Sequence, residues 1–390
     1  MAAAIEASTN KNNEIILFER HARVGRKLQA TGNGRCNLSN VHAQLLNYHG
    51  QNPEFVKNAF QQFGVENTLK WFADLGLFTV TEDSGRVYPY SDQANSVVDV
   101  LRFGLDQSNV CVSTATEIQK VKRQDNGFLL DYGEGTVLCD RLIVACGGLA
   151  GTKLGGSMAG YKILTKLGHK CSRLRPALVQ IKSDWPEVVS LKGVRTNCNI
   201  KILKDEELFS QSSGELQFTE YGLSGPVIFE VSRDVCAEPG NWTAEIDFLP
   251  HVSSQQLYQE LLRRKQTCLP QSEILTGILH NRLGRVLTQM VGVGGTSLVC
   301  NVHDELLRQI CTCVKSFRIS LTEPLGMENA QVTAGGILTE QFNSATLESK
   351  IVPGLFACGE VLDIDGDCGG YNLQWAWSSG RLAGMSAGKE

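Results

Sequence analysis

Ile351-Val-Pro-Gly-Leu-Phe-Ala-Cys-Gly-Glu-Val-Leu-Asp-Ile-Asp-Gly-Asp-Cys-Gly-Gly-Tyr-Asn-Leu-Gln-Trp-Ala-Trp-Ser-Ser-Gly-Arg-Leu-Ala-Gly384 is the stretch that decides the fold. Leu355 to Cys358 is a short apolar run, the length of a buried strand. Gly359 permits close backbone approach there, and Glu360 sets a carboxylate at the strand's carboxyl end. A loop carrying Asp363, Asp365 and Asp367 follows. Gly369-Gly370 then opens a helix whose small residues, from Ala376 through Gly384, suit tight packing on a sheet. A strand-end carboxylate beside free N–H groups at a helix start suits a ribityl-diphosphate: the carboxylate takes hydroxyl protons and the helix start takes phosphate charge.

Working outward, three further stretches read the same way. Glu14-Ile-Ile-Leu-Phe-Glu19 is a buried strand ending in a carboxylate, the position that binds adenosine ribose hydroxyls in dinucleotide folds. Arg141-Leu-Ile-Val-Ala-Cys-Gly-Gly148 is a second strand ending in small residues, where backbone can touch a dinucleotide. Between them, Val24 to Asn40 contains Gly32-Asn-Gly34, a tight turn with exposed N–H groups, and Arg26, Lys27 and Arg35, which offer charge to a diphosphate. Met1 to Ala7 reads as helix. The first strand and the GxGxxG turn expected before that helix do not occur in this sequence. The expectation is therefore of a truncated chain, with a gap between the strand ending at Glu19 and the strand ending near Cys358.

Val352-Pro-Gly-Leu-Phe, Gly359-Glu-Val-Leu-Asp363, Gly369-Gly-Tyr-Asn-Leu-Gln374, the segment Gly25-Arg-Lys to Gly34-Arg-Cys-Asn37 and Gly214-Glu-Leu-Gln-Phe-Thr to Gly222-Leu-Ser-Gly-Pro226 resemble the bacterial flavoprotein family known as YhiN-like or BaiN-like, some of whose members are labelled aminoacetone oxidase-like. The resemblance covers nearly the whole chain. It implies FAD as cofactor, held by Glu19, Arg26, Lys27, Gly32, Gly34, Arg35, Cys36, Asn37, Ile118, Ala145, Gly147, Gly148, Gly359, Glu360, Gly369, Gly370, Tyr371, Asn372 and Leu373. Cys36 is expected to line the flavin pocket without redox chemistry, because no second cysteine stands near it. Gly85-Arg-Val-Tyr-Pro-Tyr-Ser91 also matches; Arg86 and Tyr88 either face substrate or form a structural turn. Gly155 to Tyr161 departs from the family pattern by a shortening.

The chain has 390 residues, a net charge of −4 and a pI near 6.0. Such a balance gives no general attraction to nucleic acid or to an anionic membrane. No run of about 18 apolar residues suggests a membrane span, and no signal peptide is evident. The thirteen cysteines are scattered, with no CxxC facing another. That pattern fits reduced cytoplasmic thiols better than a disulfide framework or a metal site.

The fold class expected is α/β: a doubly wound, Rossmann-like FAD domain from residues 1–169 and 326–390. Residues 170–250 are read as an inserted β domain and 251–325 as an inserted helical region, together roofing the flavin. The function expected is an FAD-dependent oxidoreductase moving a hydride between flavin N5 and a small organic molecule, with NAD(P)H or oxygen as redox partner. Amine or alcohol oxidation and reduction of an activated double bond both fit. No acid or base is assigned; Tyr371, Asn372 and His169 are polar candidates with structural readings of their own. An RNA-modifying flavoenzyme and a non-enzymatic homologue that binds flavin weakly are the competing readings.

Overall fold

A computed structural model describes residues 1–108 and 110–389; Asn109 and Glu390, both inside segments assigned above to the FAD domain, lie outside it. The chain divides into two units, residues 1–175 with 327–390 and residues 176–326.

In the first unit, four short strands carry the dinucleotide-binding core. Strand β1 (Ile16–Phe18) pairs in parallel with β2 (Cys111–Ser113). Strand β3 (Leu142–Val144) pairs in parallel with β4 (Leu355–Ala357). No ladder joins the two pairs among the described residues. Helix α1 (Ala2–Ala7) enters beside it. The amino group of Met1 is buried, and desolvation lowers its pKa against the nearby Cys358 and Glu19. Those two residues end the strands on either side.

Helix α2 (Tyr371–Ala387) lies at the centre of this unit. Its small residues let α1 approach closely: a Cβ at Gly384 would lie 2.2 Å from the Ala3 carbonyl oxygen. Arg381 locks the two helices by donating to Glu6 over 2.9 Å, both side chains being largely buried. Gln374 is fully buried and satisfied: it accepts from the Ser39 hydroxyl at 2.6 Å and donates to Thr68 and Ser378. A buried amide without such partners would be costly. Trp375 and Trp377 donate to the carbonyls of Gly359 and Leu38, which fixes α2 against the strand end and the loop beside it.

Residues 176–326 form one body. Its antiparallel sheet runs, in spatial order, Ile181–Lys182, Gly222–Ser224, Glu207–Phe218, Arg195–Lys204, Trp242–Asp247, Phe317–Leu321. Along Arg195–Lys204 buried and exposed positions alternate, as expected of a sheet with one covered face. Leu257, Leu283, Leu307 and Ile310, from the helical part, share one core with Ile200, Phe218, Ile246 and Phe317. This corrects the division into a β domain at 170–250 and a helical region at 251–325. The helices are amphipathic, and their apolar faces have no core of their own to form. The last strand, after the helices, closes the sheet edge.

No described helix is long and apolar enough to cross a membrane.

Candidate functional site

The site is built at the carboxyl ends of the parallel strands and at the start of α2, where open α/β sheets bind ligands. At one end stands Glu19, just past β1. Its backbone bridges to Ser113 and Thr116, and its carboxylate accepts the His21 N–H at 2.8 Å. One oxygen is thereby oriented while the group stays half-buried. Arg26 donates to the Lys153 carbonyl at 3.0 Å and makes no ion pair among the described residues. Across from Glu19 lie Ala145 and Cys146, both solvent-accessible. The Cys146 thiol is accessible yet crowded; burial pushes it up to about 11 and Glu19 adds to the shift. An exposed group in so desolvated a setting marks a concave wall.

In the middle, Glu360 follows β4. Its Oε2 accepts from Lys27 at 2.8 Å and its Oε1 from the Thr333 N–H at 2.8 Å. Thr333 in turn accepts the N–H groups of Leu149 and Ala150 on its hydroxyl. Gly148 is required here, because a Cβ would lie 2.4 Å from Glu360 Oε1. Gly147 and Gly359 differ: both have positive φ, and nothing lies within 4 Å of where a Cβ would be. They leave backbone facing open space.

At the far end, α2 begins. Gly370 takes φ 105°, and a Cβ there would lie 2.3 Å from the Ser39 carbonyl oxygen. The loop Thr31–Gly34, with Gly32 and Asn33 both left-handed, brings Asn37 alongside. Asn37 Oδ1 is sealed from solvent with no hydrogen-bond partner. Arg35 stacks on the Tyr88 ring, 3.9 Å from its centroid. Arg86 lies against Gly369, its Nε 3.2 Å from where a Cβ would be.

Several expected roles look different in place. Cys36 is fully buried in the core, and burial pushes its thiol up to about 12; it is not a wall of the site. Arg35 is committed to Glu82 at 2.9 Å and to Asp92, which raise its pKa, so it offers no free charge to a diphosphate. Lys27 pairs with Glu360 for the same net effect. The Asn372 amide both donates to the Gly366 carbonyl and accepts its N–H, which ties down the preceding loop. Leu373 packs on the core cluster around Cys36, and Ile118 on the core around β4. Tyr371 accepts the Tyr48 hydroxyl on its carbonyl at 2.9 Å. His169 is structural: buried, stacked on Phe342 at 4.9 Å, with both ring nitrogens engaged by Ser349 and Leu164. Thr333 escaped the sequence reading. Its hydroxyl partners, Leu149 and Ala150, lie more than 180 positions away, and only Gly335-Gly336 behind it hinted at a close approach.

These residues fit FAD. Glu19 and Arg26 would hold the ribose and phosphate end, and the backbones of Gly147 and Gly359 would line the middle. The unpartnered Asn37 acceptor and the start of α2 would meet the ring. A sealed acceptor is costly unless a donor arrives, and a flavin ring edge carries an N–H. Fold and site define the class: a Rossmann-type flavin-dependent oxidoreductase.

The chain belongs to the family described as HI0933-like protein Rossmann domain, which matches residues 1–386. It is 35% identical to 3-dehydro-bile acid delta(4,6)-reductase of Clostridium scindens, over 99% of this chain and 96% of that protein. It is 31% identical to the ribosomal RNA dihydrouridine synthase of Escherichia coli, over 94% and 90% respectively. Among solved structures it resembles 3-ketosteroid-delta4-(5alpha)-dehydrogenase from Rhodococcus jostii, with TM-score 0.50 and 13% identity over 100% of this chain and 94% of that one. That likeness concerns the fold alone.

Proposed function

We propose that the protein reduces a carbon–carbon double bond conjugated to a carbonyl in a small cyclic molecule, with FAD drawing electrons from reduced nicotinamide. One observation carries this reading: two relatives aligned over at least nine-tenths of both chains bear names that denote adding two hydrogens to such a bond. A 4,6-unsaturated 3-oxo steroid acid and a uracil ring are both vinylogous carbonyl compounds. The shared part is the reaction, and the two substrates differ greatly in size and charge.

A small molecule is favoured over RNA on charge. RNA binding rests on unpaired cations that neutralise phosphates. On the sheet of residues 176–326, Arg195 faces Glu215 at 3.5 Å and Lys201 faces Glu245 at 3.2 Å, so the row is neutralised within the protein. All thirteen cysteines are free thiols, which supports placement in the reducing cytoplasm.

When bound, FAD supplies the hydride. Glu19 would position the cofactor's ribose through charge-assisted hydrogen bonds, and the sealed Asn37 acceptor would orient the ring. Glu360, held by Lys27 and Thr333, keeps the strand end and the Gly148 turn in register.

The test is an anaerobic titration. FAD-loaded protein is bleached with NADPH, then mixed with a 3-oxo-4-ene bile acid or with a transcript of ribosomal RNA. Return of the yellow colour with the bile acid alone is expected. Return with RNA alone would transfer the reading to RNA modification, and return with neither would refute double-bond reduction.

A further inference from the structure

Saturating a conjugated double bond needs two protein groups besides the hydride source. One must hold the carbonyl oxygen as it becomes an enolate, and one must protonate the carbon next to it. The polar side chains gathered at the start of α2 can be sorted by what already occupies them. Asn40 donates to the Gly369 carbonyl and accepts the His42 N–H. Asn372 is committed to Gly366. His49 is held by Asp367 at 2.6 Å. Arg35 is held by Glu82 and Asp92. Cys36 is in the core, and Asn37 presents a sealed acceptor.

Two further groups among the described residues stand beside these, both on the strand Arg86–Pro89. Among the described residues the half-buried Arg86 guanidinium makes no ion pair and no side-chain hydrogen bond, and it lies against Gly369. Tyr88 is buried, only 6% of the residue being exposed. Its hydroxyl makes no hydrogen bond among the described residues and is not sealed from solvent. A fixed ring with a free, wet hydroxyl is an unusual arrangement for a structural tyrosine, whose hydroxyl finds a partner when buried.

Resting on the proposed double-bond reduction, we propose that Arg86 holds the substrate's carbonyl oxygen and that Tyr88 is the catalytic acid that protonates its α-carbon. The substrate would be a ring enone or its vinylogous amide counterpart. Reduced FAD, when bound, would supply the hydride for the new C–H bond at the β-carbon. The π electrons of the double bond shift toward oxygen, giving an enolate beside the Arg86 guanidinium. The Tyr88 O–H bond then breaks as the α-carbon takes its proton. The phenolate left behind lies under the Arg35 guanidinium, beside Arg86, and recovers a proton from water through its open hydroxyl. The substrate gains one hydride and one proton, and the flavin leaves oxidised.

Burial raises the Tyr88 pKa. Arg86 and Arg35 oppose this, while Glu82 and Cys368 add to it. The donor therefore holds its proton at neutral pH, and the rate falls only as an alkaline pH strips it.

Tyr88→Phe and Arg86→Gln are the variants. Tyr88→Phe removes a hydroxyl with no protein partner, so FAD affinity should stay within about 2-fold of wild type, well under the 1.4 kcal/mol that marks a factor of ten. Reoxidation of the reduced protein by a 3-oxo-4-ene bile acid should slow by roughly 10²–10⁴-fold, the usual contribution of a general acid, and lose its alkaline limb. The second readout involves no turnover. p-Nitrophenolate, an enolate mimic, should bind the oxidised wild type with a shift in its own absorption, and Arg86→Gln should weaken this at least ~10-fold. Wild-type protein that no enone reoxidises would bring down the underlying reading and this one together. Wild-type reoxidation matched by Tyr88→Phe, with the alkaline limb intact, would overturn only the assignment of Tyr88. Unchanged p-nitrophenolate binding in Arg86→Gln would overturn the carbonyl anchor.

Discussion

In residues 176–326 each strand has a hydrogen-bonded neighbour, and a single apolar core holds six strands and the helices against them. In residues 1–175 and 327–390 the parallel strands come as two separate pairs, and three-residue strands are the rule. That second region has two apolar cores, one around β4 and one around Cys36, tied together by long-range polar clamps: Lys27 and Thr333 on Glu360, Arg381 on Glu6, Gln374 on Ser39 and Thr68. A region fixed by apolar contact is tolerant of its ligand state. Directional bonds around open backbone, added to apolar cores, shape a region for a ligand, because each clamp sets the aim of a group at the site.

The comparison can be broken from the core side first. Phe218 is fully buried beside Trp185 and Phe248. Phe218→Ala should cost about 3–5 kcal/mol. Hydrogen exchange should show lost protection across the sheet of residues 176–326 while β3 and β4 keep theirs; equal loss in both would mean that the two regions do not unfold as distinct units.

At the site, Gly370→Ala is the sharpest probe. The residue has φ 105° and no room beside the Ser39 carbonyl. A cost of about 2–3 kcal/mol is expected, from a strained dihedral plus a forced backbone shift. It should appear as a lower urea midpoint together with weaker FAD binding. A neutral result would show that the start of α2 is looser than its contacts imply.

Glu19→Ala tests the ribose end. Losing the oriented carboxylate should weaken FAD binding at least ~10-fold, about 1.4 kcal/mol, with little change in the fold. Fluorescence titration of FAD into the apoprotein measures it, and unchanged affinity would make Glu19 an ordinary surface residue.

The smallest effect concerns pH. Burial lowers the His169 pKa below 6.5, and the hydrogen bond to the Leu164 carbonyl opposes this only in part. The unfolded chain takes up a proton near pH 6.5 and the folded one only at lower pH. Stability from this residue is thus complete above 6.5 and falls as pH drops below it. The urea midpoint should decline between pH 7.5 and 5.5, and less so in His169→Gln. Parallel declines would assign the pH dependence to other groups.

The sequence alone determined the αβ order, the strand ends at Glu19, Gly148 and Glu360, and the helix start at Gly369-Gly370. These are local signals: apolar runs of strand length, glycines where a side chain cannot fit, and a carboxylate just beyond. The same local logic misjudged the middle of the chain, where strands and helices of different period share one core, because period says which face is apolar and not what covers it. Only the tertiary structure decided which charged groups are free. Arg26, Lys27, Arg35 and Arg86 look alike as letters. Folding places Glu360 beside Lys27, Glu82 and Asp92 beside Arg35, and leaves Arg86 unpaired at Gly369. It also sealed Cys36 in the core and left the Tyr88 hydroxyl open. Whether a polar group is available for chemistry depends on partners far away in sequence, and those partners exist only once the chain has closed.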